Sequence, residues 1–81
     1  MELKDTAALM TSGDYKERFR AEYWQVRDRF LKLTVMLNKW DAGELDFTPD
    51  CPRELLDRQI RAMADYIGIL EERAAIEKVT L

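Results

Sequence analysis

The stretch Phe19–Trp40, FRAEYWQVRDRFLKLTVMLNKW, decides the fold. Within it Phe19, Tyr23, Val26, Phe30, Leu33, Leu37 and Trp40 follow one another at spacings of 4, 3, 4, 3, 4 and 3. This is the repeat of a helix packing along one straight partner. Upstream, Thr11 or Ser12 offers a hydroxyl to accept a backbone N–H, and Asp14 places a negative charge in the first turn, where the helix dipole favours it. The pattern therefore predicts one helix over 12–40, about 43 Å long at roughly 1.5 Å per residue.

Outward from that helix, residues 41–51, DAGELDFTPDC, break the period, with Gly43 as the stop and Pro49 as punctuation. Pro52 is expected as the first helical residue of the next segment, with Glu54 reaching back to the backbone N–H of Cys51. A second helix over 52–77 follows from Leu56, Ile60, Met63, Ile67, Leu70 and Ala74, spaced 4, 3, 4, 3 and 4. Beside this seam runs another stripe of Leu55, Ala62, Tyr66, Ile69 and Ile76, and the first helix carries a stripe of Trp24, Leu31 and Val35. Two helices cannot bury four stripes. The expected fold is all-α: a long antiparallel helical hairpin assembling as a homo-oligomeric helical bundle, most simply two hairpins in a four-helix bundle. Residues 1–11 are expected as an arm or a short helical turn and 78–81 as a tail, all within a single domain, 1–81.

Composition removes several classes of function. The 81 residues contain no His and one Cys, Cys51, so neither a Cys/His zinc site nor an internal disulfide can be built. Gly13, Gly43 and Gly68 stand too far apart for a phosphate loop. The longest apolar run is Ala7–Met10, which suits neither a membrane span nor a signal peptide. A net charge of −3 argues against general DNA or RNA binding. No carboxylate pair stands out as a general acid and base. The expectation is a non-enzymatic protein of the cytoplasm with no cofactor and no metal.

Charge is nevertheless uneven. Residues 12–40 hold seven basic and four acidic side chains, whereas 41–51 hold four acids and no base. Eight of the 13 bases are arginines, whose planar forks suit carboxylates and phosphates. The ordinary role for Arg18, Arg20, Arg27 and Arg29 is ion pairing with acids such as Glu54, Asp57, Asp65 and Glu72 on neighbouring helices. The alternative is an anion pocket where subunits meet. Tyr15, Phe19, Tyr23, Trp24 and Tyr66 interleave with the arginines, the combination that stacks bases and neutralises phosphates. The candidate ligand-binding residues are Tyr15, Arg18, Tyr23, Arg27, Tyr66 and Arg73. Trp40 and Phe47 are expected to close the end of the bundle; alternatively they join Trp24, Leu31 and Val35 in binding a protein partner. Gln59, Arg73 and Glu22 lie within or beside apolar stripes and are expected to fix register or line a pocket.

The strings DYKERFRAEYWQV (14–26) and MLNKWDAGELDFTPDCPRELLDRQIRAMADYIGILEERAAIE (36–77) resemble a family of short phage and prophage proteins named after a protein of a crass-like gut phage. The resemblance covers about residues 10–77, and Trp40–Pro52 is its most distinctive element. It implies a phage accessory protein working in the host bacterial cytoplasm, and it carries over no catalytic residue. A looser likeness, in size and expected oligomeric form only, is to the phage sponges that counter CBASS and Thoeris immunity. That analogy implies an anti-defence protein binding a small cyclic nucleotide at a subunit interface. The alternative is a helical adaptor that inhibits a host protein.

Overall fold

A computed structural model describes all residues, 1–81. The chain is helical without strands: a 3-10 turn, Leu3–Thr6, runs into a short helix α1, Ala7–Met10, followed by α2, Tyr15–Asp41, and α3, Arg53–Glu77. Contacts of Tyr23 with Glu71 at one end and Asp41 with Arg53 at the other make α2 and α3 antiparallel.

α2 begins three residues later than the spacing predicts because Asp14, not Ser12, supplies the cap. Its carboxylate accepts the Lys16 N–H at 2.9 Å, while the Ser12 hydroxyl accepts the N–H of Asp14 itself. At the far end the chain turns through Gly43 at φ +72, a left-handed conformation that costs glycine no Cβ clash. α3 also starts one residue late. Pro52 is the cap residue, with φ −59 and ψ 144, and neither a side-chain cap nor the expected reach of Glu54 to Cys51 is present. α3 stops at Lys78, which adopts the left-handed region at φ 58 and lets Val79 fold back with its N–H on the Ala74 carbonyl at 2.9 Å.

The seams meet as their periods require. Phe19, Tyr23, Ile67, Leu70, Ala74 and Val79 form one buried cluster, with Trp24, Val26 and Phe30 packed on it. Leu37 and Leu56 are buried towards the loop end. The arm is ordered against α2. Thr6 is 1% exposed; its hydroxyl donates to the Leu3 carbonyl at 2.7 Å and accepts from Gln25 Nε2 at 3.1 Å. Gln25 also reaches the Met10 sulfur. Phe47 does not close the bundle as expected: it is 54% exposed, beside Trp40 in a shallow hollow of the loop, and the group packed over Trp40 is Arg53. That guanidinium lies 5.4 Å from the centre of the half-buried Trp40 ring and bridges Asp41 and Asp57.

Candidate functional site

The arginines of α2 do not make the expected interhelical ion pairs. Arg18, Arg20, Arg27 and Arg29 have no carboxylate within 4.0 Å, and Glu54, Asp65 and Glu72 have no cationic partner. Asp57 is paired, but with Arg53 on its own helix. The reason is geometric: the antiparallel register sets apolar residues between the helices and directs most charges away from the seam. Only Arg53–Asp41 joins two helices through opposite charges.

Six candidate ligand residues separate into three groups. Tyr23 and Arg27 sit together on α2: Arg27 Nη1 donates to the Tyr23 hydroxyl at 3.3 Å, and the hydroxyl donates to the Glu71 carboxylate at 2.9 Å. Burial, reinforced by the bond to Glu71, raises the Tyr23 phenol above its ordinary pKa, with Arg27 acting in the opposite direction. Trp24 completes this group, its ring edge-on to Tyr23 at 5.2 Å with the Arg27 guanidinium 5.9 Å from its centre. The Trp24 ring, placed in the partner-binding stripe by sequence, therefore belongs with the arginine, as its i, i+3 spacing to Arg27 would have allowed.

Tyr15 and Arg73 form the second group. Arg73 donates to Glu77 through Nε at 2.7 Å and Nη2 at 3.3 Å, and its guanidinium lies 4.8 Å from the centre of Phe19. Arg73 depresses the Glu77 carboxyl below its ordinary value, the nearby Tyr15 hydroxyl adding to the effect. Tyr66 shares the face of α3 on which Arg73 lies, seven residues away, and is 40% exposed. Glu71 and Arg73 are two residues apart, about 200° around the helix, so the Tyr23 and Arg73 groups occupy opposite flanks of α3. Arg18 stands alone, donating to the Ser12 carbonyl at 2.7 Å. One protomer thus brings Tyr23 to Arg27 and Tyr15 to Arg73 but does not gather all six residues.

Of the residues proposed for a protein partner, Leu31 and Val35 are exposed on α2 and Phe47 on the loop, whereas Trp24 and Trp40 are half-buried beneath arginines. Gln59, Arg73 and Glu22 are exposed rather than set within the core. Sequence reasoning missed both carboxylates that orient Tyr23 and Arg73: Glu77 had a signal, its i, i+4 spacing from Arg73, whereas Glu71 meets Tyr23 only through the register between helices. Cys51 is exposed. No group of three or more His, Cys, Asp or Glu side chains is placed to hold a metal ion, and no helix is long and apolar enough to cross a membrane.

The fold and these surfaces define a small all-helical protein whose notable polar chemistry is arginine beside aromatic rings. The chain belongs to the Sequestin family, whose model matches residues 13–76. The match takes in α2, the loop and nearly all of α3, and leaves out the arm. No curated protein and no solved structure matches it. The family name points to a binding, sequestering role rather than catalysis.

Proposed function

We propose that this is a phage-encoded, non-enzymatic anti-defence protein that sequesters a small cyclic nucleotide immune signal in the host cytoplasm, at a site completed where copies of the chain meet. The observation that carries this reading is Arg27. It is held against the Trp24 ring and the Tyr23 hydroxyl and pairs directly with no carboxylate, Glu71 being reached only through that hydroxyl. A preoriented guanidinium without a direct carboxylate partner, beside a half-exposed indole, suits a phosphate and a base. Arg20, one heptad earlier and about 10 Å away along the axis, supplies a second unpaired cation on the same face. Arg73 with Tyr15 and Tyr66 offers a second such surface, although there Glu77 already satisfies the guanidinium.

Calorimetric titration of the full chain against cyclic di- and trinucleotides and cyclic ADP-ribose isomers tests the reading. A saturable heat is expected with at least one of them, weakened at least roughly tenfold by Arg27→Ala, as for loss of a charge-assisted contact. Flat heats across the panel would refute it.

A second reading, a helical adaptor that inhibits a host protein, is favoured by the exposure of Leu31, Val35 and Phe47. Val35 and Phe47 line a common hollow of about 290 Å³ with Lys32, Met36 and Lys39. A host partner recovered on the wild-type chain and lost on Phe47→Ala would support the adaptor.

A further inference from the structure

α3 carries a second heptad that nothing in the protomer covers. Leu55, Ala62, Ile69 and Ile76 recur every seven residues along its outer face, and all are exposed, Ile69 at 54% and Ile76 at 80%. A strict seven-residue repeat keeps an apolar line facing one long partner helix. Two further lines flank it at the same period: Arg58, Asp65 and Glu72 on one side, Gln59, Tyr66 and Arg73 on the other. Arg58, Asp65 and Glu72 form no ion pair within the protomer. Over the small side chain of Ala62 the surface opens into a hollow of about 560 Å³, lined among others by Leu55, Arg58, Gln59 and Asp65.

We infer that this face is the seam of a homodimer in which α3 packs antiparallel on α3 of a second copy, about a two-fold axis passing between Asp65 and Tyr66. Packing sets the direction. In a parallel pair each residue of the apolar line faces its own copy, so Ala62 would meet Ala62 and the hollow over it would stay unfilled. Reversing one helix brings Arg58 opposite Glu72 of the second copy, twice by symmetry. Asp65 alone then faces its own copy, with Arg61 one turn away on the same helix. The apolar line closes in the same register. Leu55 lies opposite Ile76 and Ala62 opposite Ile69, so the larger side chain of one copy enters the hollow over the small side chain of the other. On the remaining flank Gln59 meets Arg73 of the second copy, and the two Tyr66 rings meet at the axis. The dimer rests on no ligand; it gathers Tyr66 and Arg73 of both copies along one edge of the seam, the second surface of the nucleotide reading, and leaves Arg27 on the opposite flank of α3.

Sedimentation equilibrium of the full chain without nucleotide tests the seam. The expected particle is twice the 9.6 kDa protomer. Arg58→Glu and Glu72→Arg should each weaken dimerisation on the order of tenfold, and the double reversal Arg58→Glu/Glu72→Arg should restore it. Ile69→Asp should give a helical monomer, helicity being followed by circular dichroism. In a Cys51→Ser background, Arg58→Cys with Glu72→Cys should oxidise to a covalent dimer. A monomeric wild-type chain, a dimer indifferent to both charge reversals, or a double reversal that fails to restore association would overturn the seam. A dimer with this behaviour that gives flat heats with every cyclic nucleotide supports the seam and removes only the nucleotide reading. A chain that binds nucleotide while monomeric does the reverse.

Discussion

The Tyr23 hydroxyl donates to the Glu71 carboxylate at 2.9 Å, joining the first half of α2 to the last third of α3 across the edge of the core. The ring of Tyr23 belongs to the buried cluster while Glu71 is exposed, so the bond marks where packing ends and solvent begins.

Replacing Tyr23 by Phe keeps the ring and removes the bond. Because Glu71 can turn to water, no buried acceptor is orphaned and the cost should be about 0.5–1 kcal/mol, the low half of the range for a net hydrogen bond. Thermal denaturation should show a fall of a few degrees, roughly 4–8 °C per kcal/mol for a domain of this size. Leu70→Ala, at a site 1% exposed, should cost about 2–5 kcal/mol through lost burial and the cavity left behind. If the two variants melt alike, the ranking of packing over this bond is wrong.

The same tyrosine gives a direction for alkaline stability. Its folded pKa is raised above the unfolded value, chiefly by burial and then by the bond to Glu71. The native state therefore holds this proton more tightly than the unfolded chain. The contribution is complete below about pH 10, the unfolded phenol pKa, and is lost as pH rises through the folded value. The wild-type chain should lose more stability than Tyr23→Phe between about pH 9 and 11. Denaturant midpoints measured at both ends of that window would check it, and parallel pH profiles would contradict it.

The loop end is governed by Arg53. Its bonds to Asp41 and Asp57 hold the guanidinium over Trp40, and Arg53 in turn keeps the Asp41 carboxyl below the ordinary carboxylate range. A carboxyl with a depressed folded pKa favours the native state above its unfolded pKa and loses that contribution as pH falls through the folded one. The indole should therefore become more mobile and solvated below about pH 4, with a shift in tryptophan emission. Arg53→Ala should produce that shift already at neutral pH. Emission unchanged by both treatments would show that the staple does not govern the ring.

Legibility followed periodicity. Of the seam residues, Phe19, Tyr23, Leu37, Leu56, Ile67, Leu70 and Ala74 are buried and Val26, Phe30, Leu33, Trp40, Ile60 and Met63 half-buried, because a 3–4 spacing leaves one inward face for a straight helix. The packing of the arm was invisible: only Thr6 is buried there, and its partner Gln25 is nineteen residues away with no repeat to announce it. Arg27 and Trp24 were adjacent by spacing, but Tyr23 with Glu71 and Arg73 against Phe19 depend on the register between helices. That register is set by how the loop turns at Gly43 and Arg53, which no pattern within one helix reports.

Testing the arm needs a substitution that removes its one buried contact without adding bulk. Thr6→Val is nearly isosteric, yet it deprives the Leu3 carbonyl of a donor and Gln25 of an acceptor. The loss should be about 1–2 kcal/mol, provided that the arm and the long helices unfold together. Amide hydrogen exchange separates global from local opening. Faster exchange confined to Leu3–Met10 would mean that the arm opens on its own, whereas faster exchange along α2 as well would show that Thr6 supports the whole domain. Since Ala21 is also 1% exposed, on the side of α2 away from the inward seam, coupled opening is the expected outcome. Protection of α2 in Thr6→Val equal to that of the wild-type chain would contradict it.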